Sequence, residues 1–160
     1  MKFRFYQLYY LLSAVLLIAT MSGTLLQIIA MDSGATYELG NFSLLKPDGT
    51  AIYSVVALGV VLVVATAVNA FGLLVSLFSN FELQKRSSIL SVLLLAGYYI
   101  LLAVYVLLVI NSDESLTTIS LQSAVIFPFT ALILSVLSFL SARRTEAKIL
   151  AKATGFRLRD

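Results

Sequence analysis

The chain has 160 residues, 60% hydrophobic and 12% charged, with a mean hydropathy of +0.99. A soluble domain carries about 25% charged residues, and a body this small cannot bury so much apolar surface, so a water-soluble globule is excluded. The net charge is +3, and the absence of cysteine and histidine removes disulfides, thiolate chemistry, iron–sulfur ligation and the commonest metal ligand.

The opening MKFRFYQLYY sets Lys2 and Arg4 before an apolar run over 8–30. A secretory signal also begins this way, but its apolar core spans only about 7–15 residues. The run is therefore expected to be an uncleaved membrane-spanning helix. Phe3, Phe5, Tyr6, Tyr9 and Tyr10 fit an interfacial aromatic belt that anchors it. Residues 31–51 form the largest loop, with Asp32, Glu38 and Asp48 against the single base Lys46. Stretches 36–39 and 42–45 flank Gly40-Asn41, and Lys46-Pro-Asp-Gly is a turn signal, so a short β-hairpin is expected on the membrane surface. A two-stranded ribbon needs outside support. The loop reads either as a knob that docks a partner or as an ordered connector.

The second span, 52–78, has neither charge nor proline. At about 1.5 Å per residue it would be about 40 Å long, enough to cross a hydrocarbon core of about 30 Å. FELQKRSS reads as a polar turn, 89–110 as the third span, and NSDESLTTIS as an acidic loop. The fourth span, 121–140, contains Pro128, which predicts a kink. A basic tail over 141–160 continues the fourth helix into water, with Gly155 as its stop signal. The N-terminus, the 79–88 link and the tail hold ten of the eleven Lys and Arg, whereas the other two loops hold five of the eight acids. The positive-inside rule then sets both termini in the cytoplasm and the acidic loops outside.

Both ends carry a resemblance. FRFYQLYYLLSAVLLI, with Arg4, Leu8 and Tyr9, resembles the opening of the uncharacterised four-helix membrane proteins of Bacteroidota grouped as domain of unknown function 4293. The link Gln84-Lys85-Arg86 and the closing Arg157-Leu158-Arg159 fit the same pattern. Phe5-Tyr6 replaces the usual aliphatic-polar pair, and the tail spacing differs. The likeness covers the layout of the whole chain through short motifs. It implies an inner-membrane protein of a Gram-negative bacterium and carries over no catalytic residues.

No expected span contains Asp, Glu, Lys, Arg or His. Such groups mark ion paths and proton relays inside membranes, so their absence argues against a proton-coupled transporter or a voltage sensor. HExxH, GxSxG and P-loop motifs are missing as well. What remains is uncharged and polar. Ala65, Asn69, Gly72 and Ser76 recur at helical spacing, and Thr20, Gly23, Thr24 and Gln27 are expected to do the same on the first span. These faces read as intramolecular packing or as a pocket for a lipid or small molecule. Asn69, Tyr98, Tyr99 and Thr130 fall at similar depths, which predicts a contact from Asn69 to Tyr98 or Tyr99. In the tail, Arg143, Arg144, Lys148 and Lys152, with Arg157 and Arg159 beyond, suit anionic headgroups or a cytoplasmic partner. Nucleic acid is not an expected partner, since six bases without an aromatic platform make a poor RNA surface.

The expected fold is an all-α membrane protein, an antiparallel bundle of four transmembrane helices with a short outer hairpin, forming one domain. The expected role is non-catalytic and cofactor-free, as an accessory or scaffolding subunit of a larger inner-membrane complex surrounded by membrane lipids. The alternative is a lipid- or small-molecule-binding transporter or channel component. An intramembrane enzyme would have to be built on Asp32, Asp113 and Glu114, the one acidic grouping available outside.

Overall fold

The computed structural model describes residues 5–30, 33–78, 80–112 and 116–154. Its chain order is helix α1 (Phe5–Met21), strands β1 (Leu26–Ala30), β2 (Thr36–Leu39), β3 (Ser43–Leu45) and β4 (Ala51–Ser54), then helices α2 (Val56–Leu77) and α3 (Phe81–Ser112). Strand β5 (Leu116–Leu121), a single 3-10 turn (Ser123–Val125) and helix α4 (Ile126–Ala153) complete it. The protein is mostly helical with a small antiparallel sheet. Three helical stretches, Val56–Leu77, Phe81–Asn111 and Ser123–Ala153, are long and apolar enough to cross a membrane, and α1 is shorter at 17 residues.

The helices pack in a ring, α1 against α2 and α4, and α3 against α2 and α4. Each turns a seam of three- and four-residue spacing inward. The seam is Tyr6, Tyr10, Ser13, Leu17 and Thr20 on α1, and Leu58, Leu62, Ala65, Asn69, Gly72 and Ser76 on α2. On α4 it is Pro128, Ala131, Ser135, Ser138 and Ala142. Such spacing is that of knobs-into-holes packing, and small seam residues let backbones approach closely. Large apolar side chains point outward instead, among them Val63, Phe71, Leu93, Ile100, Leu107 and Phe129. An interior of packed apolar, small and hydrogen-bonded polar residues inside an apolar exterior is compatible with lipid.

Several sequence expectations are corrected. The first helix does not run over 8–30. It stops at Met21, and residues 26–30 are strand β1, whose Ile28-Ile29 pair favours extended backbone. FELQKRSS is not a turn but the first part of α3. Asn80 caps that helix through its Oδ1, which accepts the Leu83 N–H at 3.3 Å, and Glu82 sits in the first turn near the positive end of the helix dipole. Residues 116–120, expected as loop, and Leu121, expected to open the fourth span, form strand β5. The fourth helix proper starts at Ile126, and Pro128 is its third residue. There the missing N–H removes no bond within α4, so the proline starts the helix rather than kinking it. Helix α4 does continue into the basic tail, to Ala153.

The hairpin expected around Gly40-Asn41 forms as β2 and β3. The support it needs comes from three further strands, in the sheet order β4-β3-β2-β1-β5 with every neighbour antiparallel. The all-α class is therefore corrected to a helical ring carrying a five-stranded sheet. Leu26, Ile28, Ala30, Leu39 and Leu44 are buried and belong to the same apolar core as Leu17, Leu58, Leu62 and Leu102 of the helices. Strands β1 to β4 lie between α1 and α2, and β5 between α3 and α4, so the sheet caps one end of the ring.

Candidate docking platform and polar core

Beyond the shared apolar core, a side chain from the β2–β3 loop ties the sheet to the helices. Asn41 is 2% exposed; its Nδ2 donates to the Thr20 carbonyl at 2.6 Å, and its Oδ1 accepts the Tyr98 hydroxyl at 2.8 Å. Thr20, in the last turn of α1, also donates its Oγ1 to the Leu16 carbonyl at 2.8 Å. Beside this link the Phe42 ring lies over Gly59, in space that any side chain there would fill. Tyr99 donates to the Val125 carbonyl at 2.6 Å, just before α4, and its ring meets Tyr98 and Phe129 edge to face. The loop, the end of α1, the starts of α2 and α4 and the middle of α3 thus converge under the sheet.

Deeper in the ring a second tier crosses all four helices. Asn69 Nδ2 donates to Ser91 Oγ at 2.8 Å and to the Ala65 carbonyl at 2.9 Å. Ser91 and Ser135 share a hydrogen bond of 3.1 Å, Ser135 donates to the Ala131 carbonyl, and Ser13 reaches the same carbonyl at 3.5 Å. Near the end away from the sheet, Tyr10 OH lies 2.7 Å from the Gln84 carbonyl and 2.6 Å from Ser88 Oγ. Gly72 makes room there, since a Cβ would meet the Tyr10 ring at 2.5 Å and Ser87 Oγ at 2.8 Å. Four buried polar atoms, Asn69 Oδ1, Ser138 Oγ and both ends of the Gln84 amide, have no hydrogen-bond partner among the described residues.

The expected contact from Asn69 to Tyr98 or Tyr99 does not form. Tyr98 is claimed by Asn41, which descends from the sheet, and Ser91, about two turns deeper on α3, faces Asn69. Gln27 is not on the first helix at all; in β1 it makes a long 3.4 Å bond across to Glu38 of β2. Ser76 is buried and bonds to the Leu73 carbonyl, whereas Thr130 bonds to the Ile126 carbonyl of its own helix. Sequence reading missed Asn41, Ser91 and Ser135. The two serines lie on seam positions of their helices, the signal that could have found them.

At the far end, Lys85 and Glu146 form an ion pair of 2.7 Å between α3 and α4, with both side chains about a third exposed. Pairs of this kind contribute about 0–1 kcal/mol. Arg143, Arg144, Lys148 and Lys152 are exposed along α4. Arg4, Asp32, Asp113, Glu114, Gly155, Arg157 and Arg159 lie outside the described residues, and with them the acidic grouping and the end of the tail.

The profile of the family described as Domain of unknown function (DUF4293) matches residues 4–149. No curated protein matches the chain.

Proposed function

For this chain, which belongs to the Domain of unknown function (DUF4293) family, we propose a non-catalytic accessory or scaffolding role in a larger bacterial inner-membrane complex. All four helices cross the bilayer, α1 with the help of flanking aromatic side chains at the interface. Both termini are cytoplasmic and the sheet stands outside, since the bases gather at the end away from the sheet. The carrying observation is the sheet itself. It has two edge strands, β4 and β5, and it is tied to the helices through Asn41, Thr20 and Tyr98. An open strand edge offers backbone donors and acceptors to a partner strand, and a rigid mount keeps that edge in register with the membrane. Further support comes from Asn69, wholly buried and bonded at mid-ring, which suits a packed interior better than a conduit.

The test is purification of the full chain from its native host in a gentle detergent, with intact-complex mass measurement. Recovery in a fixed ratio with one larger membrane assembly is the expected result. Leu121→Lys, at a side chain 71% exposed on the β5 edge, should abolish that recovery without unfolding the chain. A lone monomer would overturn the proposal in favour of a lipid- or small-molecule-binding transporter component.

A further inference from the structure

On the outward side of the ring, α2 and α3 enclose a groove of about 450 Å³. Its lining includes the small residues Ala67 and Ser87 and the large Phe71, Leu83 and Leu90. The Ser87 hydroxyl is already committed to the Val68 carbonyl at 2.9 Å, so it is not a free donor to the groove. One charged side chain, Arg86, joins the lining. It stands in the second turn of α3, at the end of the helices away from the sheet. Its Nη2 meets Glu82 at 2.6 Å, with both side chains at least 70% exposed.

We propose that this groove binds an anionic glycerophospholipid, one acyl chain lying between α2 and α3 and the phosphate resting on Arg86. An apolar groove on a lipid-facing surface takes a hydrocarbon chain because no polar group in it needs water. The headgroup is chosen by charge. A guanidinium has five N–H donors in a planar fork, and the bond to Glu82 uses one of them, leaving others for phosphate oxygens. The exposed i,i+4 pair with Glu82 is weak in water, so it does not withhold the arginine from a stronger partner. Basic side chains at the cytoplasmic ends of membrane helices are where anionic headgroups collect. A second outward groove, between α3 and α4, is about 220 Å³ and is lined by Ser88, Ile89, Val92, Leu93, Val136 and Phe139. No cation is among the residues that line it.

The full chain, purified in mild detergent, is offered phosphatidylglycerol and phosphatidylcholine of identical acyl chains at equal concentration, and retained lipid is read by native mass spectrometry. The wild type should favour phosphatidylglycerol about fivefold, the ratio that one basic side chain near a surface supplies. Arg86→Gln combined with Glu82→Gln, which leaves the site neutral, should remove the preference. Glu82→Gln alone frees the guanidinium and should strengthen it. Ala67→Phe adds a ring to the lining, narrows the groove and should reduce retention of both lipids. Equal retention of the two lipids by the wild type, a preference that survives in the double variant, or undiminished retention in Ala67→Phe overturns the proposal. Because the chain is assayed alone, the outcome does not depend on whether it serves a larger complex.

Discussion

The Tyr98 hydroxyl and the Asn41 side-chain oxygen, 57 positions apart in sequence, lie 2.8 Å from each other beneath the sheet. Both residues are almost completely buried, and Asn41 spends its other end on the Thr20 carbonyl. Tyr98→Phe would leave a buried amide oxygen without its donor, a loss of about 1–3 kcal/mol. Thermal unfolding in detergent should show a clear drop in midpoint. Asn41→Leu, which removes the amide as well, should give a much smaller additional loss when combined with Tyr98→Phe than it does alone.

Two helical glycines should respond to the same substitution with opposite sign. Gly72→Ala drives a methyl group into Tyr10 and Ser87, and Tyr10 cannot retreat without giving up its bonds to Gln84 and Ser88. Overpacking of this kind costs about 1–3 kcal/mol. Gly97→Ala meets nothing within 4 Å and should stabilise α3 by about 0.5–1 kcal/mol through backbone propensity alone. Melting midpoints of the two variants, measured side by side, should move in opposite directions.

Gln84 is wholly buried, and its amide has no partner at either end among the described residues. Replacing an unsatisfied buried amide by an apolar group of similar volume removes a desolvation penalty of about 1–3 kcal/mol. Gln84→Met should therefore raise the unfolding midpoint, since the Tyr10 hydroxyl bonds to the Gln84 backbone rather than its side chain. A lower midpoint would mean that the amide is satisfied in the membrane.

The orientation is open to a direct chemical readout because the chain has no cysteine. Thr50→Cys, in the exposed turn before β4, should react with a membrane-impermeant maleimide on spheroplasts. Lys148→Cys, exposed on α4, should react only after the membrane is opened. The reverse pattern would put the sheet in the cytoplasm and reject the topology.

The helical ring was legible in the sequence wherever a span had no competing structure, as in 52–78, where α2 fills all but the ends. The hairpin at Gly40-Asn41 was legible because turn residues separate β-forming ones. Strand β1 was not, because its inner face lies on the helical core. Leu26, Ile28 and Ala30 are as apolar as a membrane span and merged with the run before them, and only Ser22-Gly23 marked the break. The first turns of α3 failed for the converse reason. Gln84, Ser87 and Ser88 look like loop residues by polarity, yet all three are buried in the ring. Hydropathy cannot separate a polar side chain in water from one inside a bundle. The partner of Asn69 was missed because depth along a helix does not reveal that a loop residue, Asn41, reaches Tyr98 first.

The pairing of β1 with β5 has a consequence for how the molecule is made. Strand β1 is complete by residue 30, but the strand that covers its second edge begins at residue 116. Two long helices must be synthesised and threaded in between, and loop-closure entropy makes such distant pairings slow to form. Until α3 has returned the chain to the sheet's side, that edge of β1 stays bare. The fifth strand therefore completes the sheet only after α2 and α3 have been made, so the sheet is finished late in synthesis.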